Sequence, residues 1–346
     1  MMRRQILTWG GLVAAGLVIA GGLWLGQGLI AVERSAMVEE TAESREIMPF
    51  VVRSGESFRE VADRLQDRGL LHHPLHLRIY ARWQSIADQI QPGEYALEPG
   101  LSAGALIRRM ARGRVVQHEL TIIEGWRFQT LWQALRAHPA VTATLPADAE
   151  ASAIMSAIGR GDIAPEGQFL PETYRFPRGT RDVDILRRAN RDLEATLRQA
   201  WAERAPGLPL DNAQEALILA SIIEKETGVP EERRTIAGVF TRRLEKGMRL
   251  QTDPTVIYGL GEGFDGDIRH EDLRRDTPFN TYTRHGLPPT PIALPGAAAI
   301  RAAVDPAEGD ALYFVSRGDG SHHFSATYEE HNQAVRRYQL GLEDDS

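Results

Sequence analysis

Apolar and polar positions recur along this chain with three different periods. From Leu7 to Val32 no charged residue occurs, and Arg3 and Arg4 stand in front of the run. About 20 apolar residues suffice to cross a bilayer, whereas a cleavable signal has a shorter apolar core and a small-residue cleavage site. The run therefore predicts an uncleaved transmembrane helix over residues 7–32. Residues 1–6 form a cytoplasmic tail, because positive residues stay on the inner side. Residues 33–47 are acidic and polar, without strong periodicity, and predict a linker. The second pattern is helical. Phe58, Val61, Ala62 and Leu65 share one face. Leu75, Ile79 and Trp83 lie four apart on one side of a helix over residues 75–83. Residues 102–111, 128–135, 181–203, 297–304 and 329–340 read the same way, and the Ala-rich residues 137–161 are expected to be mostly helical. The third pattern is short and strand-like, at residues 49–52, 94–97, 115–123 and 311–315. Residues 166–177 hold two carboxylates, three aromatics and two prolines, which predicts a rigid loop or short strand.

The stretch over residues 217–259 is the most unusual. Residues 216–223 are apolar on every side, so this helix should be buried. Asn212 and Glu215 have capping-box spacing at its start, and Gly228 fits the glycine that follows a helix end. Pro230 opens a second helix that Gly247 closes, and Asp253-Pro254 reads as an N-cap with proline at the first helical position. A buried helix thus ends on Glu224, Lys225 and Glu226. The two glutamates are about 200° apart around the axis, and periodicity alone does not choose between them. Both sit at the negative helix end, which disfavours ionisation, and partial burial acts in the same direction. A carboxyl that keeps its proton near neutral pH is what general acid catalysis requires. The competing reading is a pair of solvated carboxylates at a frayed end.

Composition narrows the chemistry. The chain has 346 residues, no cysteine and a net charge of −7. Disulfides, cysteine-ligated zinc and a thiol nucleophile are excluded, and the charge gives no basis for nucleic-acid binding. No HExxH spacing, GxSxG elbow or P-loop is present, so neither metal nor cofactor is expected. Gln251, Asp253, Tyr258, Asn280 and Tyr282 supply polar groups and aromatic faces that suit sugars. Glu166 and Glu172 are further cleft candidates, with a structural role the more frequent outcome for such residues.

Two resemblances add to this reading. The order strand, helix, helix, strand over residues 48–115 resembles a LysM module, a small fold associated with N-acetylglucosamine polymers. The larger resemblance runs through ASIIEKET (220–227), RLEKGMRLQTDPTVIYGLG (243–261), NTYT (280–283), GLPPTPIALPG (286–296), YFV (313–315) and HHFSATYEEHN (322–332). PGEYALEPGLSA (92–103), EGWRF (124–128) and EGQFLPETYRFPRGT (166–180) agree with it. Together they resemble the endolytic murein transglycosylase (YceG-like) family from about Pro49 to the C-terminal helix. The resemblance implies an α+β architecture: a transmembrane helix, a small LysM-like subdomain, and a larger mixed α/β catalytic domain over residues 116–346. It implies a single-pass protein of the bacterial inner membrane with its catalytic domain in the periplasm. The activity implied is that of a carbon–oxygen lyase which cleaves MurNAc–GlcNAc bonds inside nascent peptidoglycan strands and leaves 1,6-anhydro-MurNAc ends.

The first glutamate of EKET, Glu224, is the catalytic acid and then base on this resemblance. Gln251, Asp253, Tyr258, Asn280, Tyr282 and His322 are the expected substrate contacts. His322 aligns with the histidine of a segment that often reads GGHTF in the family, where this chain has Gly320, Ser321, His322, His323 and Phe324. Peptidoglycan strands are the expected partner, and cell-wall synthases (penicillin-binding proteins) are implied by the family's setting. The alternative class is a membrane-anchored peptidoglycan-binding scaffold without turnover.

Overall fold

The computed structural model describes residues 2–37 and 47–341, with side chains from Ala15 onward. The elements in chain order are α1 (Met2–Arg34), β1 (Met48–Val52), α2 (Phe58–Asp67), α3 (Pro74–Trp83), β2 (Gly93–Leu97), α4 (Ala103–Ala111), β3 (Gln117–Thr121) and α5 (Phe128–Ala137). Then come β4 (Val141–Thr142), α6 (Ala151–Ala157), β5 (Thr173–Pro177), β6 (Thr180–Arg181), α7 (Asp182–Ala202), α8 (Ala213–Glu226) and α9 (Arg233–Glu245). The chain closes with α10 (Asp253–Leu260), α11 (His270–Arg274), α12 (Ala297–Val304), β7 (Tyr313–Ser316), β8 (His322–Ser325) and α13 (Tyr328–Tyr338). Two compact units divide these elements. One holds residues 1–118 with 176–178, and the other holds residues 119–175 and 179–346.

In the first unit β1 and β2 pair antiparallel, with Phe50 opposite Tyr95. Both rings are fully buried, together with Val61, Leu65, Leu77 and Leu106. The expected strand–helix–helix–strand order is therefore present. Ser57 caps α2 with a complete capping box. The stripe Leu75, Ile79 and Trp83 is not the packed face of α3. That face is His76, Leu77, Tyr80 and Ala81, while Leu75 and Trp83 stand 50% and 73% exposed. Sequence spacing shows that residues share a face but not which of two plausible faces turns inward.

The apolar N-terminal stretch forms one helix, α1, long and apolar enough to cross a membrane. Leu17, Val18, Ile19 and Leu23 are exposed on it. It does not stop at the expected linker. Glu33 is still helical, accepts a hydrogen bond from Arg108 Nη1 at 2.8 Å and another from the Tyr80 hydroxyl. Beyond the helix the Met37 amide donates to the Leu101 carbonyl at 2.8 Å. The rest of the expected linker, residues 38–46, lies outside the described residues.

In the second unit α8 is the central element. Every residue from Ala216 to Ile223 is buried, against faces of α7, α9 and α12. Each fully buried Leu or Ile contributes about 1.5–3 kcal/mol, so the absence of a polar face on α8 is paid back by packing on all sides. The Ala-rich residues 137–161 hold only the short helix α6. Pro139 and Pro146 interrupt this stretch, and the Thr144 amide is held outside any helix by Asp182 Oδ2 at 3.0 Å. The nominal loop after Gly261 carries α11. β7 and β8 form an antiparallel hairpin, with Phe314 opposite Phe324.

Candidate active site

The site is built on the C-terminal end of α8. Asn212 caps the start of the helix by accepting from the Glu215 amide at 3.0 Å. The reciprocal half of a capping box is displaced by one residue, since the Glu215 carboxylate accepts from Asp211 N at 2.8 Å. In the middle of the helix the Ser221 hydroxyl donates to Ile218 O at 2.7 Å and accepts from Ile292 N at 3.0 Å. This buried pair of bonds fixes the GLPPTPIALPG loop against α8. The end does not use Gly228 as a left-handed cap. Instead Thr227 turns extended, at φ −142° and ψ 136°, and its hydroxyl oxygen accepts from Val229 N at 2.9 Å.

Glu224 and Glu226 leave this terminus in different directions. Glu224 is recessed, with a side chain only 6% exposed. One oxygen accepts from the Gly296 amide at 2.9 Å, and the other lies 3.9 Å from Arg233 Nη2. Arg233 also stands 3.7 Å from Glu124. A Cβ at Gly296 would meet the Glu124 side chain, which would have to move aside. Burial pushes the Glu224 carboxyl above its ordinary value; the Glu124 charge reinforces this, and the Gly296 amide and Arg233 oppose it.

Glu226 lines an open cavity of about 440 Å³. Gln251, Asp253, Tyr282 and His322 line the same cavity, and Glu224 does not. The Thr252 hydroxyl donates to Glu226. Burial pushes the Glu226 carboxyl up to about 7, the Asp253 charge adds to it, and Thr252, His322 and Arg243 pull the other way. Thr252, rather than Asp253, is the N-cap of α10, so Asp253 and Pro254 both fall within its first turn. Asp253 Oδ1 accepts from the Tyr282 hydroxyl at 2.6 Å, and burial raises that phenol. Gln251 is exposed with φ +51°. A non-glycine residue in that region costs about 1–2 kcal/mol, and such outliers gather at functional sites. His322 is oriented by Glu232, which meets its Nδ1 at 2.7 Å and accepts from its amide at 2.8 Å.

Two expected contacts lie elsewhere in their roles. Asn280 is 1% exposed. Its amide donates to the carbonyls of Asp272, Leu273 and Arg275, and its oxygen accepts from Tyr282 N at 2.8 Å. It therefore orders the loop that presents Tyr282. Tyr258 packs edge-on to Phe279 at 4.8 Å under Arg127, outside the cavity lining. Burial and the neighbouring Glu166 push its hydroxyl up to about 12. Glu166 accepts from the Phe128 amide at 3.0 Å, and burial raises it to about 6. Glu172 is exposed on the strand side.

Sequence reasoning missed four further residues that line the cavity, Arg243, Tyr313, Tyr328 and His331. Arg243 lies on α9 and the others on or beside the C-terminal hairpin, 70 or more residues away, so only tertiary packing unites them. Among the described residues no cluster of three His, Asp or Glu is placed to hold a metal ion.

Residues 50–337 match the model of the YceG-like family, and the chain belongs to that family. It is 28% identical to the endolytic murein transglycosylase of Bacillus subtilis, over 93% of this chain and 91% of that one. It is 24% identical to the endolytic murein transglycosylase of Streptococcus pneumoniae, over 94% of this chain, which spans 64% of that relative's length. The crystal structure of a YceG-like protein from Listeria monocytogenes superposes with a TM-score of 0.53 at 29% identity, covering 84% of this chain and 100% of that one.

Proposed function

We propose that this chain is an endolytic murein transglycosylase, anchored by α1 in the inner membrane with its second unit in the periplasm, and that Glu226 is its catalytic acid. The observation that carries the assignment is the position of the Glu226 carboxyl, with its raised pKa, in the cavity it shares with Gln251, Asp253, Tyr282 and His322. The family resemblance puts the acid at Glu224 instead. The recessed carboxyl of Glu224, its pKa raised by burial, supports that assignment, but it accepts from the Gly296 amide, lies 3.9 Å from Arg233, and is not among the residues lining this cavity. The geometry favours Glu226.

Protonated Glu226 gives its proton to the oxygen that bridges MurNAc to GlcNAc as the C1–O bond breaks. The positive charge at C1 is shared with the ring oxygen and the substrate's own N-acetyl group. Glu226, now a carboxylate stabilised by the Thr252 hydroxyl, takes the proton from the muramic 6-hydroxyl as that oxygen bonds to C1. The product is a 1,6-anhydro end. The nucleophile is intramolecular, which supplies a large effective concentration. The subdomain over residues 48–115, within the first unit, is LysM-like in this reading and meets the same glycan, and cell-wall synthases are the companion enzymes.

A hydrolase is the second reading, because Asp253 is a second carboxylate on the same cavity and glycosidases that admit water use two. Mass spectrometry of products from uncrosslinked glycan strands separates them. Internal fragments with 1,6-anhydro-MurNAc ends, lost in Glu226→Gln, are expected. Reducing ends would make the chain a hydrolase, and binding without cleavage would make it a scaffold.

A further inference from the structure

Four residues that line the cavity with Glu226, namely Arg243, Tyr313, Tyr328 and His331, have no part in the mechanism above. Tyr313, on β7, packs against two planar groups. The Arg243 guanidinium lies over its ring at 5.1 Å, and the His331 imidazole stacks on it at 5.2 Å with 22° between planes. Arg243 is itself only 7% exposed and locked in place. Its Nε donates to Leu312 O at 2.6 Å and its Nη1 to Leu250 O at 2.7 Å. Burial, with the Arg243 charge adding to it, lowers the His331 pKa. Tyr328, the first residue of α13, leans on Tyr313 with centroids 6.0 Å apart. It is 63% exposed, although it lines the cavity. A large aromatic ring left in water at the rim of a polar cavity, on a support that Arg243 and His331 contact, has no role in packing that requires its exposure. Tyrosine combines a flat apolar face with a hydrogen-bonding tip. The C–H face of a pyranose ring matches the first and its hydroxyls match the second.

We infer that Tyr328, backed by the Arg243–Tyr313–His331 stack, is a stacking platform for a pyranose ring of the glycan strand adjoining the bond that Glu226 cleaves. This rests on the transglycosylase reading and adds to it a binding subsite. Such a platform supplies binding energy remote from the reacting atoms. Its pinned support keeps the entropy lost on binding small.

The test uses the full chain in detergent, with peptide-free glycan strands of defined length as the probe. Glu226→Gln should bind these strands without cutting them. Adding Tyr328→Ala to that variant should weaken binding about tenfold, while Tyr328→Phe, which keeps the ring face, should restore most of the affinity. In the cleaving enzyme Tyr328→Ala should raise KM and leave kcat nearly unchanged. Equal affinity with and without Tyr328→Ala overturns the platform and leaves the enzyme reading intact. Failure of Glu226→Gln itself to bind any strand removes both.

Discussion

Glu224 and Glu226 belong to the same helix end, feel the same negative terminus, and differ by one intervening lysine. Their surroundings have little else in common. Glu224 meets a backbone amide and stands near an arginine, an arrangement that joins α8 to the loop before α12. Glu226 meets a single hydroxyl and an open cavity. Both carboxyls are raised by burial, so a raised pKa does not by itself single out the catalytic group. Access to a space where a reacting atom can sit does.

The sharpest way to break this comparison is Glu226→Gln. We expect at least a 10²-fold loss of strand cleavage with circular dichroism and Tm close to those of the parent. A cleaving Glu226→Gln enzyme would return the acid to Glu224.

The pH profile is the next measure. An acid must be protonated, so kcat/KM should hold at low pH and fall as pH rises through about 7, the Glu226 value. Stability has the same sign. The Glu226 pKa is higher in the fold than the ordinary 4.5, so the folded chain binds more protons between about 4.5 and about 7. Stability attributable to this group is therefore lost as pH rises through that window. Denaturant titrations of the parent should show that slope, and those of Glu226→Gln should show a shallower one, since Glu166, raised to about 6, keeps a contribution of the same sign.

Thr252→Val removes the one hydroxyl that donates to Glu226, a bond that favours the carboxylate. The alkaline limb should move to higher pH by less than about one unit, with a smaller loss of rate than Glu226→Gln. An unmoved limb would mean that the limb belongs to another group.

The smallest effect on activity is expected from Glu224→Gln. Glutamine keeps an oxygen for the Gly296 amide, so turnover should fall by less than about tenfold while Tm drops by a few degrees, corresponding to about 1 kcal/mol. Loss of cleavage equal to that of Glu226→Gln would abolish the distinction.

Much of the framework was legible before the structure. The α8 pattern, its Asn212 cap and the flanking helices follow from periodicity and capping chemistry alone. Periodicity left Glu224 and Glu226 equal, because both faces of a helix buried all round look alike in sequence. The polar candidates divide for a similar reason. Gln251, Asp253, Tyr282 and His322 reach the cavity, whereas Asn280 satisfies backbone groups, and sequence does not reveal which partner an amide takes. Leu75, Ile79 and Trp83 fail in the opposite sense. They form a genuine stripe, but the face with His76 and Tyr80 carries the packing. Arg243 and Tyr328 carry no local signal at all, since their meaning depends on a fold that brings residues 243 and 328 to one wall.

The seat of α1 in the first unit has a mechanical consequence. The helix runs unbroken to Arg34, Val32 is 5% exposed, Gly28 abuts His76 so closely that no Cβ fits between them, and Ala36 forms a bridge with Ser102. Among the described residues, the end of the apolar helix packs directly on the folded unit. Such a mounting acts as a stilt rather than a leash: it sets the height of the first unit over whatever the helix is embedded in, and leaves it little freedom to search sideways.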